Sequence, residues 1–330
     1  GDGSVPYDGS TDAGEWTSFI PFDKLPHVFD PPSGVIVTAN QRVVGQDYPF
    51  FLTREWAAPY RARRILDLLQ AKQKLTAEDF RAIQADTYSY SAENFVREAS
   101  RIAREFPAGA DDEKWRASLN MLEAWDRRMD SESRAALLFA ITRDNFRRRV
   151  IAGGVGADLA KEYGFNAFVN PFVDRVLAER PAEWLPKEFK NYGELLYASY
   201  KDAREEITKR LGANDSKWTW GGYQQIRFRH PLAAAPLVGL PFTIPPIPQQ
   251  GSGASVNVGQ NVSMRFIADA GNWDQSRQGI TLGESGDPAS PHWKDQLDDW
   301  RTASPRVFPF TAAAVTGAAR ETLELAPPAK

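Results

Sequence analysis

The chain contains no cysteine and only three histidines in 330 residues. Without thiols there is no disulfide, no thiolate nucleophile and no zinc–thiolate site, and three imidazoles are little material for a multi-histidine metal centre. The redox compartment stays open, since a cysteine-free chain tolerates either. No basic excess exists: 40 Lys and Arg stand against 43 Asp and Glu, for a net charge of −3 and a pI near 5.8. A nucleic acid or an anionic membrane surface would want a basic face, so neither is an expected partner. Nowhere does the chain hold about twenty consecutive apolar residues, as a membrane-spanning helix requires. The first residues lack a basic n-region and an apolar h-region, so this stretch carries no signal peptide. For an internal piece of a longer protein, that would say nothing about export.

What is present describes a globular chain, 42% hydrophobic and 25% charged, with enough length for a sizeable core. The first thirty residues are rich in Gly, Asp, Ser and Pro and read as loop. Their Asp2, Asp8 and Asp12 do not have the spacing of a calcium-binding helix–loop–helix, and turn chemistry accounts for them. A Pro-Pro-Ser-Gly turn then leads into Val35, Ile36, Val37, Thr38 and Ala39, a β-branched run that reads as a short buried strand ending at Asn40. An amide at the end of a rigid strand can aim its N–H at one point, as an oxyanion donor must. Asparagine is also a favoured turn residue whatever the function, and that reading stands beside the first. A helix is expected from about Trp56, with Pro59 in its first turn and Ile65, Leu68 and Leu69 toward a core. Arg61 and Arg64 lie one turn apart on it, near Arg63, and can equally be solvated.

From Leu75 to Gly212 helix follows helix, with Thr76 and Asp79 as a capping pair. Trp115, Leu119, Leu122 and Trp125 form a stripe of core type. Arg147, Arg148 and Arg149 read as a solvated basic face. Gly153-Gly154-Val155-Gly156 lacks the preceding strand and the lysine of a phosphate loop, so it reads as a helix stop. Near Trp218 the pattern turns to strand, with Ile226 and Phe228, then Val262, Met264 and Phe266, alternating with polar residues on either side of a Pro-rich stretch from Leu240 to Pro248. Three regions result: loops and the asparagine strand over 1–55, a mostly helical block over 56–212, and strands over 213–330.

Three groups of residues together resemble a known family. The first is Glu15-Trp16-Thr17 with Phe19-Ile20-Pro21-Phe22-Asp23. The second is Pro32, Gly34, Ile36 and Thr38-Ala39-Asn40, with Tyr48-Pro49 and Trp56-x-x-Pro59-Tyr60-Arg61-Ala62-x-Arg64-Ile65. The third runs from Met264 through Trp273-Asp274, Gly283-Glu284-Ser285-Gly286, Pro288 and Ser290-Pro291-His292 to Asp295-Gln296. The pattern resembles the C-terminal part of the β subunit of penicillin acylases and their acyl-homoserine-lactone acylase relatives. Relatives usually carry glutamine at Glu284 and tyrosine at Trp293, differences of packing. The resemblance implies an α+β chain, part of a four-layer αββα N-terminal-nucleophile hydrolase. It implies hydrolysis of an N-acylated small molecule, with Asn40 in the oxyanion hole and Arg61 beside the nucleophile's amine. In that family the nucleophile is the first-residue serine of a β chain cut from a precursor. Gly1 has no hydroxyl or thiol, so the serine is expected on a companion polypeptide, the α chain and the N-terminal part of the β chain being the partners. A periplasmic or secreted location is implied too. Relatives hold a structural calcium through an aspartate before the tryptophan, but residues 49–55 offer no aspartate, and no cofactor is expected.

Two rival readings come from the residues. Gly283-Glu284-Ser285-Gly286-Asp287 superficially resembles the nucleophile elbow of a serine esterase, with His292 as its base, although the second glycine is displaced and the alternation of strands and helices that such a fold needs is missing. A non-catalytic glycan-binding surface could use some of the ten tryptophans, most of which fall in helical core stripes.

Overall fold

A computed structural model describes residues 2–3, 5–162, 170–235, 239–259 and 262–327; Gly1 and residues 163–169 of the helical block lie outside it. Its α-helices are α1 (Tyr60–Gln70), α2 (Ala77–Ala85), α3 (Tyr90–Glu105), α4 (Glu113–Ala124), α5 (Arg134–Val155), α6 (Ala157–Glu162), α7 (Asn170–Glu179), α8 (Tyr192–Leu211), α9 (Trp220–Tyr223), α10 (Leu297–Arg301) and α11 (Ala312–Ala318). The strands are short: β1 (Gln225–Ile226), β2 (Ile247–Pro248), β3 (Met264–Ile267), β4 (Arg277–Ile280) and β5 (Arg306–Val307). The chain gathers into two compact units, one of residues 1–71, 87–225 and 248–256, the other of 72–86, 226–247 and 257–330.

The first unit is helical and is built around α5. That helix is buried on nearly every side, through Leu137, Leu138, Ile141, Phe146 and Val150 among others, as a central helix must be. The amphipathic α3 and α8 bring Phe95, Val96, Ala99 and Ile102, and Leu195, Leu196, Tyr200, Ala203 and Ile207, to the same core. Trp115 and Leu122 of the expected stripe are in that core, with Leu119 and Trp125 packed against it. The helix starts are capped by side-chain oxygens, Ser89 for α3, Asp112 for α4, Ser133 for α5 and Asn191 for α8. The glycine run does end a helix, with Gly156 at a left-handed φ of 85° after Val155.

The arginine run is only in part the solvated face expected. Arg147 is buried and paired with Asp144, Arg148 with Asp144 and Glu206, and Arg149 with Asp202. Arg148 is exposed and Arg149 half-buried, so the run is solvated in part, and only Arg147 turns inward; each charge is matched by a carboxylate of α5 or α8.

In the second unit, β3, β4 and β5 form an antiparallel sheet in that order, Met264 opposite Ile280 and Ile267 opposite Arg277, with Arg277 opposite Val307. On β3 the buried residues are Arg265 and Ile267, while Met264 and Phe266 are exposed. The Arg265 guanidinium donates to the Gln84 carbonyl and to Asn257 Oδ1, which offsets in part the cost of burying its charge. Helix α2 carries the expected capping box between Thr76 and Asp79. The N-terminus of α11 is held by Asp274, whose carboxylate accepts from the backbone N–H groups of Phe310 and Thr311 and from the Thr311 hydroxyl.

The run expected as a strand before Asn40 has no regular secondary structure, and only Ala39 in it is buried. A strand exists by virtue of a neighbour, and among the described residues this run has none. The following helix starts at Tyr60, with Pro59 at its cap position, rather than near Trp56. Of the central sheet expected from both chain ends, the described residues hold short strands at the C-terminal end only.

Candidate active site

Asn40 stands at a sharp bend in the first unit, with a left-handed φ of 67°. Asparagine is among the few residues that enter this region at modest cost, so local backbone chemistry alone would select it here. Its own carbonyl accepts from the Ala57 N–H at 2.9 Å, which ties the bend to the approach of α1. From the first turn of α1, Arg61 reaches back and donates through Nη2 to the Ala39 carbonyl at 2.9 Å and to Asn40 Oδ1 at 2.7 Å. A guanidinium has donors only, so the atom facing it must be the amide oxygen. The Nδ2 amine is therefore turned to the other edge of the amide, and among the described residues it makes no hydrogen bond.

The three neighbouring arginines go separate ways. Arg61 is half-buried, and burial lowers its pKa, but an arginine remains charged in proteins. Arg63 stacks over the Tyr90 ring at 4.2 Å and Arg64 over the Tyr88 ring at 4.6 Å. Although they lie one turn apart, Arg61 and Arg64 thus take different partners. Tyr90 and Tyr88 are in turn held by Asp67 and Glu93, so these aromatic shelves divert two of the cations and leave Arg61 alone on the bend.

An open cavity of about 430 Å³ lies against this bend. Thr38, Asn40, Gln41 and Arg61 form its polar side and Val43, Trp56, Ile65 and Val256 its apolar side. Mixed linings of this kind suit a small organic ligand with one polar reacting group. Gln41 is a member of the site that sequence reasoning missed. Its Oε1 accepts from the Ala39 N–H at 2.7 Å and its Nε2 donates to the Val37 carbonyl at 3.1 Å. Only a side-chain conformation folded back on the preceding residues makes these bonds, and no spacing in the sequence signals it.

The rival serine does not form a dyad. Ser285 Oγ accepts from the Asp287 N–H, and its own N–H donates to the His292 carbonyl, while the His292 ring meets Asp295 at 3.3 Å. Gly283 is where this loop closes on itself: a Cβ there would stand 2.0 Å from the His292 carbonyl oxygen. The signature thus makes a tight turn, and Trp293 packs beside it against His230 and Phe242. Of the N-terminal aspartates, Asp8 closes a turn on Ser10 and Asp2 pairs with Arg54. Among the described residues no group of three metal-ligating side chains comes together, and residues 49–55 bring no aspartate.

A second cavity, of about 110 Å³, lies in the helical core between Met129, Phe139 and Trp220, with Arg143 and Arg147 in its wall. Those cations already face Asp174 and Asp144. No described helix is long and apolar enough to cross a membrane.

Comparison with known proteins gives consistent findings. The family described as Penicillin amidase matches residues 1–317. The chain is 34% identical over 320 residues to the penicillin acylase 2 proenzyme of Pseudomonas sp. strain SE83, covering 90% of this chain and 39% of that protein. It is 26% identical over 329 residues to the acyl-homoserine lactone acylase QuiP of Pseudomonas putida KT2440, covering 91% of this chain and 40% of that protein. The chain thus spans about two fifths of the length of these relatives. Among solved structures it shares the fold of the thermostable penicillin G acylase of Alcaligenes faecalis, with a TM-score of 0.64 and 19% identity over 96% of this chain and 61% of that one.

Proposed function

The chain belongs to the penicillin amidase family, and from that premise we propose that it supplies the oxyanion-binding amide of an N-acyl amide hydrolase whose nucleophile is carried by a companion polypeptide. The observation that supports this reading is the 2.7 Å bond from Arg61 to Asn40 Oδ1, because it leaves Nδ2–H as the face of the amide available to a ligand at an open cavity. A serine hydroxyl on the companion attacks the substrate carbonyl, and that serine's own α-amine takes its proton. With an ordinary pKa of about 8, an α-amine is a competent base near neutral pH, whereas a lysine would be mostly protonated. Charge then develops on the carbonyl oxygen, and Asn40 Nδ2–H donates to it together with a backbone N–H of the companion. The amine leaves with a proton, and water releases the acid from the acyl-enzyme. Arg61 keeps the amide turned and places a positive charge near the serine's amine, which disfavours the amine's protonated form.

Two further features support a companion. The chain spans about two fifths of its relatives. It also leaves the large side chains of Trp16, Phe19, Phe22 and Phe29 exposed within one short segment, as a surface covered by a partner would be. On this reading the four-layer αββα architecture is completed by the companion, which supplies the missing neighbour of the 35–39 run, and the assembled enzyme works in the periplasm or outside the cell. The relatives' names point to penicillin-type β-lactams or N-acyl-homoserine lactones as substrates, and the apolar side of the cavity suits either.

The test is to express the complete precursor and assay the assembled protein on N-phenylacetyl and N-alkanoyl 4-nitroanilides and on N-acyl-homoserine lactones. Amide cleavage, with the acyl group trapped on an N-terminal serine of the companion in mass spectra, is the expected result. An assembled, folded protein that cleaves no member of the panel would end the proposal.

A further inference from the structure

We propose that Gln41 is a positioning residue for Asn40, its side-chain amide standing in for a neighbouring strand and fixing the bend from which Asn40 projects; this rests on the oxyanion role given to Asn40 above. The left-handed φ of 67° costs asparagine little, so the direction in which the bend projects the side chain is set by the contacts around it. Arg61 and the Ala57 N–H hold the Ala39 carbonyl and the carbonyl and side chain of Asn40. Those contacts all lie at or after the peptide joining Ala39 to Asn40. What fixes the chain before that peptide is Gln41, bonded at once to the Ala39 N–H and the Val37 carbonyl.

The geometry of this pair carries the inference. One side-chain amide reaches both groups, so the carbonyl of residue 37 and the N–H of residue 39 point the same way, as they do in an extended chain. In a parallel sheet this pair is taken by the N–H and C=O of a single residue on the next strand. The Gln41 carboxamide offers the same donor and acceptor and so gives residues 37–39 the constraint of a strand pairing that this segment otherwise lacks. Without it, the segment before the bend can rotate, and the Asn40 amide swings with it while Arg61 still holds the oxygen. An oxyanion donor displaced by about 1 Å loses on the order of 10²-fold in rate.

The experiment is a double-mutant cycle in the complete enzyme, with turnover expressed per folded molecule from parallel melting curves. Gln41→Met, which keeps the length and removes both bonds, is expected to lower kcat about 10–100-fold with little change in KM. In the Asn40→Gly background, where the donor is already gone, Gln41→Met is expected to change the residual rate less than about 2-fold. Equal losses in both backgrounds would reassign Gln41 to general support of the fold and overturn the inference. Full turnover of Gln41→Met beside an impaired Asn40→Gly would overturn it while leaving the role of Asn40 intact. Normal turnover of Asn40→Gly would remove the oxyanion reading itself, and this inference with it. Should Gln41→Met not assemble, Gln41→Glu keeps the acceptor for the Ala39 N–H but sets a carboxylate oxygen against the Val37 carbonyl in place of the donor, and the same difference between the two backgrounds is expected.

Discussion

At Asn40 backbone and chemistry make overlapping demands, and substitutions separate them. Alanine would confound the two, since it removes the amide and also resists a φ of 67°. Aspartate is tolerated in the left-handed region and can keep its contact with Arg61 as an ion pair, so Asn40→Asp is expected to melt within about 1 kcal/mol of the parent. It has no donor, and it sets a carboxylate against the forming oxyanion. Turnover is therefore expected to fall at least about 10²–10³-fold, in kcat and kcat/KM together; normal turnover per folded Asn40→Asp molecule would take Asn40 out of the mechanism. For Arg61, replacement by alanine removes a positive charge from near the proposed amine and is expected to move the acidic limb of the rate profile to higher pH, with Arg61→Lys retaining part of the rate. An unchanged profile would return Arg61 to a purely structural place. Asn40 and Arg61 could be singled out in the sequence because their types and spacing match a family pattern, not because local physics distinguishes them; their roles remain a proposal. The contact between them was not legible, nor was Gln41, since both depend on side chains reaching back across a bend.

Among the helices, sequence and structure agree wherever the signal is local. Caps such as Thr76 with Asp79, the stripe of Trp115 and Leu122, and the stop at Gly156 are each set by a few adjacent residues. The 35–39 run and Arg147 of α5 were misread because their state depends on what lies next to them in space. Gly193 in α8 is a case where tertiary contact reverses a local rule. Helix propensity favours Gly→Ala by about 1 kcal/mol, yet a Cβ at Gly193 would lie 2.2 Å from the backbone oxygen of Phe106 at the end of α3. Gly193→Ala is expected to lower stability by about 1–3 kcal/mol, and a raised melting temperature would contradict this close approach. The cap of α2 yields a pH prediction. Hydrogen bonds from Lys72 and from the Thr76 N–H and hydroxyl lower the Asp79 carboxyl from 3.8 to about 2. A depressed folded-state pKa means that the cap's contribution is complete above the unfolded value and fades as pH falls from there to about 2. Carboxyl NMR is expected to place the Asp79 midpoint near 2 and to move it up in Thr76→Ala; a midpoint near 3.8 in the parent would contradict the cap.

For the molecule as a whole, the exposed aromatic side chains of the N-terminal segment are the dominant fact. Trp16, Phe19, Phe22 and Phe29 are 79%, 83%, 90% and 93% exposed. Single exposed hydrophobes are ordinary, but four large ones within fourteen residues mark a surface that is normally covered. Produced alone, the chain is expected to bind a dye such as ANS and to associate at micromolar concentration. Assembled with the rest of its precursor, it is expected to show neither behaviour, and a monodisperse, dye-silent chain on its own would contradict a companion. Gln41 has a bearing on that assembly. By occupying the carbonyl of residue 37 and the N–H of residue 39, it closes one edge of the segment. Two copies cannot zip together along that side without first breaking both bonds, while the opposite side stays open. A single glutamine thus acts as a stopper: the segment can take one strand, from one direction, and a sheet begun there cannot grow into a polymer.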